Sequence, residues 1–300
     1  FPNLAAMAKG ARAYGSFDED SITMAVAAAR AALRHLPPRR AVGELLLAST
    51  TLPFLDRQNA GVVAEALGLG GDLHAVDTGG SQRAATGALI HGLRSEGPAL
   101  VLGADRPLAK PGSTMEMLAG DGAAALLLGS EDLLARFVGS HSVACDLVDH
   151  YRGAQARYDY VLEERWVREE GYLKIVPRAV AGLLGKTGVA PAQIDRFVLG
   201  GLQDGAARAV AKACGIAESA VQPGLIEKCG YSGCAYPLLM LCAALEAAAP
   251  GERILLLGFG QGCDALLFET TGRIAAARDF HGVGAALQQG RPDDNYLRYL

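Results

Sequence analysis

Short apolar runs of strand length alternate along this chain with segments of helical periodicity. The runs are Glu44–Ser49, Leu73–Asp77, Ala99–Gly103, Gly122–Gly129, Phe137–Ala144, Arg196–Leu199, Arg253–Gly258 and Asp264–Thr270. A strand that is apolar on both faces has to be covered on both faces. That requires helices on each side of a mainly parallel sheet, an α/β architecture. The intervening segments supply the helices. Asp18 is positioned to cap the first, with Glu19 and Asp20 in its opening turn. Ile22, Ala25, Val26, Ala29, Ala32 and Leu33 then share one face. Arg30, Arg34 and His35 suit its C-terminus, and Pro37-Pro38 stop it. Further helices are expected over Ala60–Leu67, Gly79–Leu93, Tyr172–Leu184, Ala206–Cys214 and Cys234–Ala248, with a short strand at Val221–Leu225.

The order repeats weakly in the second part of the chain, so two halves of about 130 residues imply an internal duplication. The expected division is residues 1–145 for the first half, 146–171 for an inserted loop region, 172–271 for the second half and 272–300 for a tail. The inserted region holds the single Trp, Trp166, among Tyr151, Arg152, Arg157, Tyr158, Tyr160, Glu163, Glu164, Arg165 and Arg168. It reads as a solvated excursion or dimer-contact loop ahead of a substrate-binding loop. The tail ends in Asn295–Leu300, whose aromatic and aliphatic residues need a cover, expected from a partner or a continuation of the chain.

Composition removes several function classes. The chain has 300 residues, enough for a sizeable core, and a formal net charge of −4. No run of Lys and Arg offers an electrostatic footprint for nucleic acid or an anionic membrane. No apolar stretch reaches the roughly 18 residues that span a bilayer, and Phe1–Gly10 lacks the apolar core of a secretory signal. The six Cys (145, 214, 229, 234, 242 and 263) form no CxxC pair, and no His lies near Cys229 and Cys234 to complete a metal site. Reduced thiols in apolar surroundings point to the cytoplasm, with no metal.

Three stretches carry a family resemblance: DTGGSQRAATGAL at residues 77–89, AGDGAAALLLG at 119–129 and GFGQGCDAL at 258–266. Together they resemble the thiolase superfamily. Within it the chain is most similar to hydroxymethylglutaryl-CoA synthase-like proteins and ketoacyl-ACP synthase III, and the likeness covers nearly the whole chain. The fold that this implies is a duplicated thiolase fold, a five-layer αβαβα sandwich. The family's usual first strand is missing before Phe1, so an N-terminal piece is expected to be absent.

The resemblance also implies a Cys nucleophile, a His and an Asn. The nucleophile position lies five residues after Asp77 and seven before Leu89, which is Gln82. An amide forms no thioester. Ser81 is adjacent but points roughly 100° away on a helix start, and its hydroxyl would need an activating base. The His position falls at Gly200 and the Asn position near Gly230, with no His or Asn in Val221–Leu241. The acid/base Glu of the hydroxymethylglutaryl-CoA branch falls at Thr50 or Thr51. The six His (35, 74, 91, 141, 150 and 281) lie outside the expected places and read as structural or surface residues. Cys229 and Cys234, beside glycines on a loop expected to face the pocket, are the alternative nucleophiles. Arg83 is expected to meet an acid such as Asp105 or Asp121, or a phosphate. Gln82 is expected at the N-terminus of a Ser81–Leu93 helix, at the base of a pocket shared with Gly200 and Gly230 and lined by Ser81, Arg83, Thr50 and Thr51.

The expected function is therefore an acyl-CoA-type thiolase-fold protein, a catalytically degenerate subunit of an acyltransferase or condensing assembly. The alternatives are an active acyl-CoA acyltransferase with a rewired site and a malonyl-thioester decarboxylase that uses Gln82, which resembles decarboxylating ketosynthase domains at that one residue. The ligand implied is a coenzyme A thioester, with no bound cofactor. The partners implied are a second copy, paired around Ala99–Gly103, and a thiolase-like and an OB-fold protein.

Overall fold

The structure is a computed structural model that describes residues 9–34, 42–279 and 282–299. His35, Pro37, Pro38, His281 and Leu300 lie outside the described residues. The first sheet holds β1 (Glu44–Ala48), β2 (His74–Thr78), β3 (Ala99–Asp105) and β4 (Gly122–Leu128) in the order β2-β1-β3-β4. β1 runs parallel to β2 and β3, and β4 runs antiparallel to β3. The second sheet contains β5 (Ala135–Ala144), β8 (Arg196–Gly200), β9 (Arg253–Phe259) and β10 (Gly262–Thr270) in the order β5-β10-β9-β8. Between them in sequence, β6 (His150–Tyr151) and β7 (Tyr160–Val161) form a small antiparallel ribbon. The expected strand near Val221 is reduced to a single parallel bridge between Val221 and Phe197.

Side-chain alternation along each central strand builds the layers. On β1, Leu45 and Leu47 face outward onto α1 (Ser21–Leu33) and α2 (Asn59–Leu67), together with Leu100 and Leu102 of β3. Leu46, Ala48 and Val101 face inward onto α3 (Ala84–Gly92) and α6 (Tyr236–Ala247). Those two helices also receive Val198, Ile254, Leu256 and Leu266 from the inner face of the second sheet. Its outer face, with Phe197, Leu199, Leu255 and Leu257, is covered by α4 (Leu173–Thr187) and α5 (Asp204–Ala213). The result is helix, sheet, helix, sheet, helix: the five-layer αβαβα sandwich that the doubly apolar strands require.

Several local expectations are corrected. Asp20, not Asp18, caps α1: its Oδ1 accepts from Thr23 N at 2.8 Å while Thr23 Oγ1 accepts from Asp20 N, a reciprocal box that fixes the helix start. α3 starts at Ala84 rather than Gly79, because Gly80 adopts φ +79° and turns the chain before the helix. β5, expected in the first half, pairs with β10 and belongs to the second sheet. β3 is flanked by β1 and β4, so Ala99–Gly103 offers no edge for pairing with a second copy. Part of the tail's cover is the chain itself. Tyr296 donates to both oxygens of the buried Glu116 at 3.0 and 3.1 Å, and Tyr299 packs edge-on against Tyr14. No helix among the described residues is long and apolar enough to cross a membrane.

The two halves are joined by buried charge as well as by apolar packing. Arg83, at the start of α3, meets Asp264 of β10 at 2.8 Å rather than Asp105 or Asp121, and Thr86 Oγ1 donates to the other Asp264 oxygen at 2.9 Å. Breaking a buried pair from one side strands the other charge. Asp264→Asn is therefore expected to lower unfolding stability by about 3 kcal/mol in urea titrations, and the double variant Arg83→Met/Asp264→Asn by less. A double variant as unstable as the sum of the single changes would contradict this coupling.

Candidate functional site

Residue 82 sits in the turn that feeds α3, and three hydrogen bonds to backbone oxygens hold it there. Ser81 Oγ donates to Gly260 O at 2.8 Å, Arg83 Nε donates to the same oxygen at 3.0 Å, and Ser81 O accepts from Ala84 N. Gly260, at φ +156°, comes so close that a Cβ there would lie 3.0 Å from the Gln82 Cβ. Gln82 is 6 % exposed. Its carboxamide is engaged at both ends. Oε1 accepts from the Tyr231 hydroxyl at 3.1 Å, and Nε2 lies 3.1 Å from His150 Nδ1. With the amide oxygen turned to Tyr231, the NH2 group faces the edge of the His150 ring, 3.1 Å from Nδ1 and 3.5 Å from Nε2. Nε2 also lies 3.5 Å from Asp159 Oδ1, which takes Arg152 Nη1 at 2.5 Å. Burial opposes the charge of Asp159, but the hydrogen bond and charge of His150 and the Arg152 guanidinium hold its carboxyl below the usual value.

The two glycines at the expected catalytic places do not open onto a pocket with Gln82. A Cβ on Gly200 would meet Pro237 Cα at 2.9 Å. At Gly201 the space is taken by the Tyr172 hydroxyl, 2.2 Å from where a Cβ would lie, and the Tyr172 ring stacks on Phe259. Gly230, at φ +82°, packs against the backbone of Ala119 and Gly120, so it is a steric requirement of the AGDG turn. The neighbour of Gly230, Tyr231, is the one that reaches Gln82. Burial, and then the charge of Asp149, push the Tyr172 phenol far above its ordinary value. Burial likewise raises Tyr231, with Tyr172 and Asp149 adding to it. Both phenols stay protonated, and Asp149 is itself raised by burial.

Thr50 and Thr51 belong to a second cluster, centred on Asp105 at the end of β3. This fully buried carboxylate accepts from Ser49 Oγ, Thr50 N, Thr50 Oγ1, Thr51 Oγ1 and Cys234 N at 2.7 to 3.0 Å. Cys234 is thereby a structural residue: burial, with the charge of Asp105, pushes its thiol well up. Burial pushes the Cys229 thiol up to about 11, and its Sγ lies 3.5 Å from Leu225 O. Neither is a thiolate at neutral pH. Asp121, of the AGDG turn, pairs with Arg106 Nε at 2.9 Å and accepts from Gly15 N.

Sequence reasoning missed His150. It had no motif, and its contact with Gln82 spans 68 residues of chain. The available signal was the density of Tyr, Arg and His in the inserted region, whose His150 reaches residue 82 while its ribbon faces solvent. Two surface hollows of about 500 Å³ lie elsewhere, one along α2 at Arg57 and Glu65 and one along α3 at His91 and Arg94; Gln82 lines neither.

Known proteins share this architecture and sequence. Residues 184–269 match the model of the 3-oxoacyl-[acyl-carrier-protein] synthase III C-terminal domain. Hydroxymethylglutaryl-CoA synthase of Aeropyrum pernix is 34 % identical over 261 residues, covering 84 % of this chain and 72 % of that protein. The Methanopyrus kandleri enzyme is 31 % identical over 291 residues, covering 94 % and 82 %. The chain belongs to the hydroxymethylglutaryl-CoA synthase family. Its fold is that of the thiolase superfamily. The solved structure of MvaS in complex with 3-hydroxy-3-methylglutaryl coenzyme A superimposes with a TM-score of 0.80 at 22 % identity, over 97 % of this chain and 86 % of that one. The 3-oxoacyl-[acyl-carrier-protein] synthase III of Aquifex aeolicus gives 0.75 at 19 % identity, over 86 % and 87 %.

Within this family member the thiols closest in sequence to the site carry a direct prediction. With its thiol at about 11, Cys229 in the folded chain should react with iodoacetamide at pH 7.5 roughly 100-fold or more slowly than free cysteine. Its rate should climb with pH towards 11. Alkylation of Cys229, mapped by peptide mass spectrometry, at the rate of a free thiol would contradict the buried, protonated assignment.

Proposed function

We propose that this chain is a catalytically degenerate member of its condensing family: an acyl-CoA-type protein that serves as a subunit of an acyltransferase or condensing assembly without forming an acyl-enzyme. The observation that carries this reading is the Gln82 carboxamide, buried and bonded at both ends by Tyr231 and His150. An acyl-enzyme needs a nucleophile that can take up the acyl group and a donor set left free for the oxyanion. Residue 82 supplies neither. The expected His position supports the same reading, because Pro237 fills the space beside Gly200 and Tyr172 that beside Gly201.

A coenzyme A thioester is the ligand class that fits the relatives, two of which were solved as "MvaS in complex with 3-hydroxy-3-methylglutaryl coenzyme A" and "HMG_CoA synthase complexed with CoA". The partners proposed are a second copy, through an outer edge of the first sheet at β2 or β4, and a thiolase-like and an OB-fold protein that supply the chemistry. The compartment proposed is the cytoplasm, in keeping with six free cysteines.

One observation favours a second reading. His150 stands beside Gln82, so an amide donor and an imidazole are together at the family's nucleophile position. That pair is the minimum a malonyl-thioester decarboxylase would need to hold a developing enolate. An acyltransferase with a rewired nucleophile gains no comparable support, since Cys229 and Cys234 are held as thiols.

Intact-protein mass spectrometry and product analysis separate the readings. After incubation with acetyl-CoA and with malonyl-CoA, the proposed subunit shows no covalent adduct and releases no acetyl-CoA. Acetyl-CoA formed from malonyl-CoA would replace it with the decarboxylase, and a stable acyl adduct would replace it with the rewired acyltransferase.

A further inference from the structure

The segment that crosses residue 82 is held differently from everything around it. Residues 146–162 leave the second sheet after β5, fold back through the β6–β7 ribbon and enter the helix capped by Glu163. The bonds that fasten this segment to the first half are polar. Gln82 meets His150, Arg152 Nη2 donates to Thr50 O, Asp159 N donates to Leu108 O at 2.8 Å, and Leu108 N donates to Asp159 Oδ2 at 2.9 Å. The ribbon's large side chains are turned to solvent instead: Tyr151 is 51 % and Tyr160 58 % exposed, and they stack on each other at 5.1 Å. Beneath it lie Gln82, Tyr231 and Tyr172, all buried.

A segment whose apolar packing is that of Leu147 and Leu162 against the second-half core, and which is fastened to the first half by a few hydrogen bonds, opens locally at a lower free energy than the core beneath it. On the first-half side Thr50 and Leu108 contribute backbone atoms to these bonds, and Gln82 contributes its side chain. Gln82 is long enough to bridge from the turn before α3 to the ribbon, and Tyr231 fixes which end of its amide faces outward. We propose that residues 146–162 are a self-closing cover over residue 82, and that the Gln82–His150 contact is its latch. Gln82 then acts as a tether between core and cover. A thioester could approach the residue-82 position only with the ribbon displaced, so the cover is an autoinhibitory contact built into the fold. This inference rests on the contacts alone and stands whether or not the chain performs acyl chemistry.

Amide hydrogen exchange reads the latch directly. The Asp159 amide, bonded to Leu108 O, and the Leu162 amide, bonded to Asp149 O, report closure of the cover. Amides of β9 and β10 report the core. In Gln82→Ala the two cover amides should exchange at least tenfold faster than in the native chain, with the core amides unchanged. Cover amides that exchange at the native rate would overturn the proposal. If Gln82→Ala also speeds the core amides, His150→Ala, which cuts the same contact from the cover side, decides by the same two outcomes.

Discussion

The Asp105 carboxylate is the interaction on which the rest of this site depends. Burying a carboxylate is tolerable only if its lone pairs are filled, and here five donors from two loops converge on it. Three of the donor residues, Ser49, Thr50 and Thr51, follow β1 in the first half. The fourth, Cys234, belongs to the loop that precedes α6 in the second. Closing the loops on one charge fixes everything hung from them. Thr50 presents its carbonyl to Arg152 of the cover, and the loop of Cys234 presents the Tyr231 hydroxyl to Gln82. Gly233 is drawn in so tightly that a Cβ would fall 2.3 Å from Asp105 Oδ2, at a φ of +56°. Asp264 performs the complementary task from the second sheet, holding Arg83 and Thr86, which lead from residue 82 into the first turn of α3.

Between those two carboxylates Gln82 is held by Tyr231 and His150 and approached by Gly260. Tyr172 and Pro237 fill the space beside Gly201 and Gly200, and they and Tyr231 are buried. Under the proposed reading, the place that a condensing enzyme keeps for substrate has become part of the core. Packing of that kind stabilises the sandwich and excludes water, and it also removes the space that chemistry would need.

The layers were legible in the sequence because β1, β3 and β9 are apolar on both faces, a pattern that only a sheet covered twice can satisfy. The sheet to which β5 belongs was not. A strand's composition records how it is covered, and β5, alternating and half exposed, follows β4 closely in sequence yet pairs with β10. The position of Gln82 could be counted from Asp77 and Leu89, since spacing along one turn and helix is local. Its partners could not, because His150 and Tyr231 reach it across 68 and 149 residues. For the same reason Arg83 was expected to meet an acid of its own half, whereas its partner lies 181 residues away in the other.

A crystal structure of the chain soaked with acetyl-CoA tests most directly whether the site is filled and inert. The account predicts Gln82 still bonded to Tyr231 and His150, the Tyr172 hydroxyl still seated against Gly201, and no acyl density at residue 82. An acetyl or pantetheine group lying between Gln82 and a displaced His150 would contradict it.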